Sequence, residues 1–337
     1  MIAKARRTPL ALRLGVGVAA LGAAAVLLLR PGTAAAPITA AAPSPSPSVT
    51  AAPTPTVSPT PTPLATPVPT PLPSLPPGIA DLTGQHVADN LAHRLPIAVL
   101  IDDNRVARPQ SGFNGASIVY QAPADGGETR YMLVFQEGES RDIGPVRSGR
   151  SYFIHWASEM RAAIAHYGGD KISRDYFKAH DGTFFTDIDA LRTTGKPFHR
   201  IATRNAPHNA YTRTGALRAV IAALGGPAGM PVELGRRPFV DPSPVAGRGR
   251  SQTINVPYRT GQVRYVFDRS SDLYRRWLDG RVQIDPADGH RVTTRNVVVL
   301  FMSFHTDSTI EVGHARPVLG DIGVGRALIF REGRLVV

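Results

Sequence analysis

The chain contains a series of short apolar runs that end in polar or glycine-rich turns. The run from Pro96 to Ile101 is continuously apolar, as expected for a buried strand, and the polar residues 102–104 follow it. Three further strands are predicted in the same region: residues 117–122, residues 129–136 and residues 162–166. The first half of the globular sequence therefore predicts a sheet.

Between these strands, apolar residues recur at the three- and four-residue spacing of a helix. Residues 149–160 show this spacing clearly, because Phe153, Trp156 and Met160 fall on one face, and Ser148 is the predicted N-cap. Two further helices are predicted: residues 171–180 and residues 212–224. The mixture of strands and helices indicates an α+β (mixed α/β) fold.

The sequence changes to a two-residue rhythm after residues 225–250, which are rich in glycine, proline and arginine. The predicted strands of this part are residues 262–267, 273–278, 281–284, 296–301, 327–330 and 335–337. We expect an N-terminal sheet-and-helix domain at residues 79–235 and a smaller β-rich C-terminal domain at residues 236–337. The chain stops inside the last predicted strand, so the completeness of this domain stays open.

The N-terminus has the pattern of an export signal. Four basic residues precede an uncharged run of sixteen residues from Leu14 to Leu29. That length lies between a signal-peptide core and a full membrane span, so residues 1–36 are predicted to be a signal peptide or a single membrane anchor. Either alternative gives an extracytoplasmic protein, tethered to the cell membrane or secreted.

Residues 37–78 contain fifteen prolines among serine, threonine and alanine. This composition excludes a packed core and predicts a disordered tether. In the polyproline II conformation, at about 3.1 Å per residue, it would extend roughly 130 Å and hold a domain away from the membrane.

Charge is unevenly distributed along the chain. The formal net charge is +12, and residues 190–267 hold 12 basic residues against 2 acidic ones. Such a segment favours an anionic envelope polymer, a lipid surface or nucleic acid, although arginines that only solvate a surface explain it equally well. Nucleic acid is not expected, because the sequence has no helix-turn-helix, zinc-finger or ribonucleoprotein motif.

Cysteine is absent from the chain. Its absence excludes disulfide bonds, thiolate catalysis and cysteine-ligated metals. No metal site is predicted from His166 and Asp170 either, because Gly168 and Gly169 between them make a helix unlikely. No cofactor is expected.

The candidate chemistry lies where predicted strands end and where the first long helix begins. Arg147 and Arg150 flank the start of that helix, where the helix dipole is positive and acidic residues are normally preferred. Two cations at this position make sense if an anion binds there. The candidate ligand-binding residues are Arg147, Ser148, Arg150, Arg130, Arg108, Gln110, His208, Asn209 and Asp102.

These candidates also have structural explanations. Arg147 can pair with Asp142 or Asp102 as an internal brace, and His208 and Asn209 can cap the helix that follows them. Both alternatives stay open at this point.

An enzymatic alternative uses a histidine and a carboxylate. It is an envelope hydrolase or transferase in which His208 or His166 works with Asp102. The sequence does not decide whether the protein is an enzyme, and it assigns no catalytic residue.

Several uncommon sequence strings occur in an order that resembles a known bacterial family. They are residues 107–112 (Ala-Arg-Pro-Gln-Ser-Gly), 118–120 (Ile-Val-Tyr), 125–130 (Asp-Gly-Gly-Glu-Thr-Arg), 144–148 (Gly-Pro-Val-Arg-Ser) and 206–209 (Ala-Pro-His-Asn). Over residues 82–335 the chain resembles the YerB-like family of bacterial cell-surface lipoproteins.

The resemblance implies a two-part extracytoplasmic protein without an established activity, so no catalytic residues carry over. This chain lacks the lipid-bearing cysteine of the family, and Gln121 stands where a glutamate is expected. We therefore expect an envelope-associated binding or scaffold protein. Its cationic site would take anionic groups of a wall polymer or lipid surface, or contact an envelope protein.

Overall fold

The computed structural model describes residues 77–227, 229–231 and 238–336 of the chain. The predicted signal or anchor at residues 1–36 lies outside the described residues, as does the predicted tether except for its last two positions. In the part of the chain that is described, no helix is long and apolar enough to cross a membrane.

Short helices and strands alternate through the N-terminal half of the described chain. The α-helices are α1 (Asp89–Ala92), α2 (Ser151–Ser158), α3 (Lys171–His180) and α4 (Thr214–Ala223). The strands are β1 (Ile97–Asp102), β2 (Ile118–Pro123), β3 (Thr129–Phe135), β4 (Ala163–His166), β5 (Thr186–Asp189), β6 (His199–Arg200) and β7 (Ala210–Tyr211). Single 3-10 turns lie at Arg105–Ala107, Asp125–Gly127 and Val245–Gly247.

The N-terminal half is built on one mixed sheet with the order β2-β3-β1-β4-β5. Strands β2, β3 and β1 are antiparallel neighbours, whereas β1, β4 and β5 run parallel. Every residue of β1 is buried, because helices cover both faces of the sheet. Side chains alternate across a strand, so Leu100 faces α2 and α3, and Val99 faces α4.

The C-terminal half consists of strands. They are β8 (Thr253–Tyr258), β9 (Gly261–Asp268), β10 (Leu273–Leu278), β11 (Arg281–Val282), β12 (Thr293–Thr294), β13 (Asn296–Leu300), β14 (Phe304–Glu311), β15 (His314–Leu319), β16 (Ala327–Arg331) and β17 (Arg334–Leu335). Strands β8 to β12 form one sheet, β13, β16 and β17 form another, and β14 and β15 form a separate hairpin.

The expected α+β fold class is confirmed, with a sheet-and-helix N-terminal half and a β-rich C-terminal half. The Asp279–Gly280 dipeptide turns the β10–β11 hairpin, and both residues have the positive φ that such a turn requires (50° and 76°). The β14–β15 hairpin was not predicted, because its mostly exposed residues show no apolar alternation. The domain bounds 79–235 and 236–337 stay predictions.

A buried arginine joins the two halves. Arg276, on β10, is 3% exposed and donates to the side-chain oxygen of Gln121 (2.8 Å) and to the hydroxyls of Tyr131 (3.0 Å) and Tyr265 (3.1 Å). Its guanidinium also lies over the rings of Tyr131 and Tyr265. The pKa of Arg276 is raised: burial alone would lower it, but the two tyrosines more than offset burial.

Asp285 makes a second connection between the halves. It is 1% exposed, and its two carboxylate oxygens accept from the amides of Gly112 and Asn114, at 2.9 Å each. The carboxylate thereby satisfies two backbone donors of the other half.

We predict that Asp285→Ala destabilises the protein by about 3 kcal/mol, because the backbone amides of Gly112, Asn114 and Ala287 lose their acceptor and each unsatisfied buried donor costs about 1–3 kcal/mol. Urea unfolding measures this change. Asp288→Ala is the matched control, since this exposed carboxylate accepts from the side chain of Asn114 and from the amide of His290 in exposed contacts, and a loss below about 0.5 kcal/mol is expected. Equal losses in the two variants would contradict the prediction.

Candidate anion-binding site

Residues 144–149 form an extended segment, here called the wedge, that lies between β1 and β4. Strands β1 and β4 pair directly only as far as Val99. Beyond that point the wedge takes the place of β4, and the amide of Arg147 donates to the carbonyl of Leu100 (2.7 Å). The wedge therefore acts as an additional short strand beside the carboxyl end of β1.

The other edge of the wedge bonds to the chain that follows β4. The amide of Tyr167 donates to the carbonyl of Arg147 (3.1 Å), and the amide of Gly149 donates to the carbonyl of Gly168 (2.8 Å). These bonds hold the backbone extended on both sides of Ser148. The predicted N-cap at Ser148 is therefore wrong.

Two helices begin beside the wedge. The N-cap position of α2 is Arg150, which makes no side-chain capping bond, and that of α3 is Asp170, whose side chain accepts from a backbone amide of the first turn. A Cβ atom on Gly149 would lie only 2.8 Å from a ring carbon of Phe177. Glycine at this position thus allows the start of α2 to approach α3 closely.

A cleft of about 250 Å³ opens at this edge of the sheet, where β1, β4 and β5 end and β3 begins. We call it the arginine cleft. Its lining residues are Asp125, Arg130, Arg147, Ser148, Arg150, Gly169, Asp170 and Arg316. The four arginines exceed the two aspartates, and the cleft lies at the carboxyl ends of parallel strands, where ligands of open α/β sheets commonly bind.

One carboxylate holds three of these arginines. The Oδ2 atom of Asp125 pairs with Arg150 and lies 3.5 Å from Arg130, and its Oδ1 atom accepts from Arg316 (2.9 Å). Arg316 belongs to β15 of the C-terminal half. The arginine cleft is therefore assembled from both halves of the described chain.

Arg130 and Arg150 form the buried floor of the cleft. Their side chains are 7% and 5% exposed, and Arg130 also donates to the carbonyl of Ser148 (2.6 Å). The Nε atom of Arg150 lies 3.4 Å from Asp170, but its direction does not make a hydrogen bond. Both side chains are fixed largely by the carboxylates of the protein itself.

Arg147 is the exception among the four arginines. Its Nε atom lies 3.2 Å from Oδ2 of Asp102, which is an ion pair without hydrogen-bond geometry. Among the described residues, its terminal nitrogens have no hydrogen-bond or ion-pair partner, and the side chain is 28% exposed. Its terminal donors are therefore available at the cleft.

The network shifts two pKa values strongly. Burial alone would raise the pKa of Asp125, but Arg150 and Arg130 more than offset it and lower the pKa to about 2. Burial, and then the neighbouring charge of Arg150, lower the pKa of Arg130 to about 10. Asp125 is therefore ionised, and Arg130 charged, at neutral pH.

Asp102 also contacts a histidine in a second cleft. His208 lies with its Nδ1 atom 2.7 Å from Oδ2 of Asp102. Together with Val106, Arg204 and neighbouring residues, His208 lines a cleft of about 420 Å³. The same atom, Oδ2 of Asp102, therefore contacts both Arg147 and His208.

The remaining candidates of the sequence brace the surrounding loops and line neither cleft. Arg108 and Gln110 both donate to Oδ1 of the buried Asp103, at 3.1 Å and 2.7 Å. The side chain of Asn209 donates to the carbonyls of two residues in the preceding loop and does not cap α4. The structural alternative for His208 as a cap of α4 is likewise wrong, since its partner is Asp102.

The pairing of His166 with Asp102 is contradicted. His166 is 1% exposed, and its two ring nitrogens contact Asp187 (2.7 Å) and the carbonyl of Gly168 (2.8 Å). The ring also stacks on Phe177 at a centroid distance of 4.0 Å. Because β4 pairs with β5, the carboxylate next to His166 is that of Asp187 on β5. His166 is therefore part of the packed interior.

Sequence reasoning missed three charged residues that line the cleft: Asp125, Asp170 and Arg316. Asp125 stands in one of the strings that carry the family resemblance, so a signal for it was present. Arg316 had none, because its hairpin was not predicted. None of the described residues that line the arginine cleft comes from the basic segment at residues 190–267.

The comparisons with known proteins identify both halves. The N-terminal domain of a family described as "Protein of unknown function (DUF3048)" matches residues 82–226, and the C-terminal domain of the same family matches residues 254–337. The chain is 27% identical over 262 residues to "Putative lipoprotein YerB" of Bacillus subtilis (strain 168), which covers 76% of each chain. It is also similar to the crystal structure of the YerB protein from Bacillus subtilis, with a TM-score of 0.66 and 25% identity, over 76% of this chain and 84% of that one.

We predict that Asp125 makes stability depend on acid pH. Its pKa is lowered from 3.8 to about 2, so its stabilising contribution is fully present above pH 3.8 and is lost as the pH falls through about 2. Since the side chain is 31% exposed, we expect a contribution of only about 1 kcal/mol.

Urea unfolding of the wild type and of Asp125→Asn between pH 5 and pH 2 measures this difference. The free energies of unfolding of the two proteins should converge by about 1 kcal/mol as the pH falls. Parallel curves over this range would contradict the assignment.

Proposed function

This chain belongs to the YerB-like family, whose two domains are those of DUF3048, and on that premise we propose that it is an extracytoplasmic, envelope-associated binding protein that holds an anionic group in the arginine cleft. The relative from Bacillus subtilis is described as a lipoprotein, which supports a location at the outer face of the membrane. This chain has no cysteine, so its tether would be the apolar segment at residues 14–29 and the proline-rich residues 37–78.

One observation carries the proposal: the terminal donors of Arg147 open into a cleft that already contains three further arginines. A guanidinium held at a cleft with unused donors matches the bidentate geometry of carboxylate and phosphate groups. The wedge fixes the backbone of Arg147 on both sides, so the group is positioned before the ligand arrives.

The neighbouring carboxylates limit the strength of this site. Asp125 and Asp170 line the cleft, and Oδ2 of Asp102 lies 3.2 Å from Nε of Arg147. The attraction of an anion to the cleft therefore depends on short-range hydrogen bonds. The long-range electrostatic field of the protein alone does not account for it. An anionic wall polymer or an anionic lipid surface are the partners that fit this chemistry.

We predict that Arg147→Gln weakens binding of an anionic polymer by about tenfold or more, because a charge-assisted hydrogen bond contributes about 1.5–3 kcal/mol. The measurement is titration calorimetry of the full chain with poly(glycerol phosphate), and with phosphatidylglycerol vesicles, at low salt. Arg147 is preferred to Arg150 as the target, since the side chain of Arg150 is 5% exposed and its replacement would disturb folding.

Arg281→Gln is the matched control, because it removes the same charge from an exposed position on β11 outside the cleft lining. Binding that falls equally in both variants would indicate a general charge effect. Unchanged binding in Arg147→Gln would reject the assignment of the site.

A second candidate function is favoured by the contact between Asp102 and His208. A carboxylate that accepts from Nδ1 fixes the imidazole tautomer and leaves Nε2 as a base, and the latter atom has no partner among the described residues. The histidine lines a cleft large enough for a small substrate. This arrangement supports an envelope hydrolase or transferase.

If the protein is such an enzyme, His208→Ala should reduce turnover by about 100-fold or more, the usual contribution of a general base. The assay follows release of nitrophenol from nitrophenyl carboxylic and phosphate esters by the full chain. His305→Ala, at an exposed position on β14, should leave turnover unchanged. Turnover that persists in His208→Ala, or no turnover by the wild type, would reject this candidate.

A further inference from the structure

Asp125 occupies the arginine cleft in the way that a bound anion would. We propose that Asp125 is an internal competitor for the ligand, and that the group which displaces it is a phosphoryl group. The inference rests on the proposed function and specifies the ligand of the same site. It also makes Asp125 the residue that determines which anions the cleft accepts.

The contacts of Asp125 are those of a bound ligand. Its two oxygens meet three guanidinium groups, which come from β3 (Arg130), from the residue before α2 (Arg150) and from β15 (Arg316). Two oxygens cannot satisfy all the donors of three guanidinium groups, and Nε of Arg130 and of Arg150 are buried without a hydrogen bond. The cleft therefore offers more donors than its internal carboxylate uses.

Asp125 approaches these arginines from the solvent side. Its side chain is 31% exposed, whereas Arg130 and Arg150 beneath it are 7% and 5% exposed. It belongs to a 3-10 turn in which Gly126 has a φ of 67° and borders open space. An incoming anion thus meets Asp125 first and reaches the buried donors by exchanging with it.

The number of oxygens distinguishes the ligands that can make this exchange. A carboxylate ligand would replace one pair of oxygens with another, so the exchange would gain little binding free energy. A phosphoryl group presents a third oxygen, and its tetrahedral geometry allows it to contact Arg130 and Arg150 together with Arg147, whose terminal nitrogens have no partner among the described residues. The cleft volume of about 250 Å³ is sufficient for such a group.

The experiment compares the full-length wild type with Asp125→Asn, a substitution that keeps the shape of the side chain and removes its charge. Titration calorimetry with inorganic phosphate at low salt should give at least tenfold tighter binding for Asp125→Asn. Acetate should bind more weakly than phosphate to both proteins. Asp175→Asn is the matched control, since that carboxylate is 63% exposed on α3 and, within the described part of the chain, pairs with a lysine alone. This variant should bind phosphate like the wild type.

The outcomes separate this inference from the proposed function. If the wild type binds phosphate and Asp125→Asn binds it no more tightly, the competitor role is overturned while the binding function stands. If neither protein binds any anion, the proposed function fails as well. Acetate that binds as tightly as phosphate would overturn the phosphoryl assignment.

A second measurement uses the wild type alone, so it does not depend on the folding of a variant. Phosphate should shift the amide resonances of Gly126 and Gly127, because Asp125 leaves its position, and unchanged resonances at saturation would overturn the exchange.

The source of the phosphoryl group follows from comparing the wild type with Asp125→Asn in titrations with poly(glycerol phosphate) and with phosphatidylglycerol vesicles. A gain for Asp125→Asn with the polymer, with the vesicles or with free phosphate alone supports the inference and identifies a wall, lipid or soluble source.

Discussion

The candidate site depends on the insertion of the wedge, residues 144–149, between two parallel strands. Backbone bonds on both of its edges fix Arg147 to the end of β1 and Gly149 to the chain after β4. The chain then turns directly into α2, which brings Arg150 to the same edge. Because β3 runs antiparallel to β1, Arg130 lies opposite Asp102 at that edge too. Four chain segments thus meet at one position through hydrogen bonds of the main chain.

Burying guanidinium groups is costly, and the structure compensates the cost with carboxylates of its own. Two charges withdrawn from water are stabilised only if their geometry and hydrogen bonds are good. Asp125 provides this for three arginines at once, which offsets part of the cost of burying them. Such compensation makes the cleft selective, since a ligand must form better contacts than the carboxylate that is already present.

The sequence predicted most of the sheet and the position of the arginines, for identifiable reasons. β1 was recognised because it is buried on both faces and therefore continuously apolar, and α3 because its residues keep a helical period. Arg147 and Arg150 both line the arginine cleft, but Ser148 was misplaced as a cap, since a propensity for capping does not reveal that the residue is held extended. The pair of Asp125 and Arg316, which are 191 residues apart, could not be predicted, because the hairpin that carries Arg316 shows no strand pattern in the sequence.

The contacts of the buried Arg276 between the two halves respond to acid differently from the contacts in the arginine cleft. Its polar partners are an amide oxygen and two tyrosine hydroxyls, none of which takes up a proton when the medium is acidified. The link between Asp125 and Arg316, in contrast, requires an ionised carboxylate. Strong acid, near the lowered pKa of Asp125 at about 2, would consequently weaken the link between the β14–β15 hairpin and the N-terminal half while the contacts of Arg276 stay unchanged.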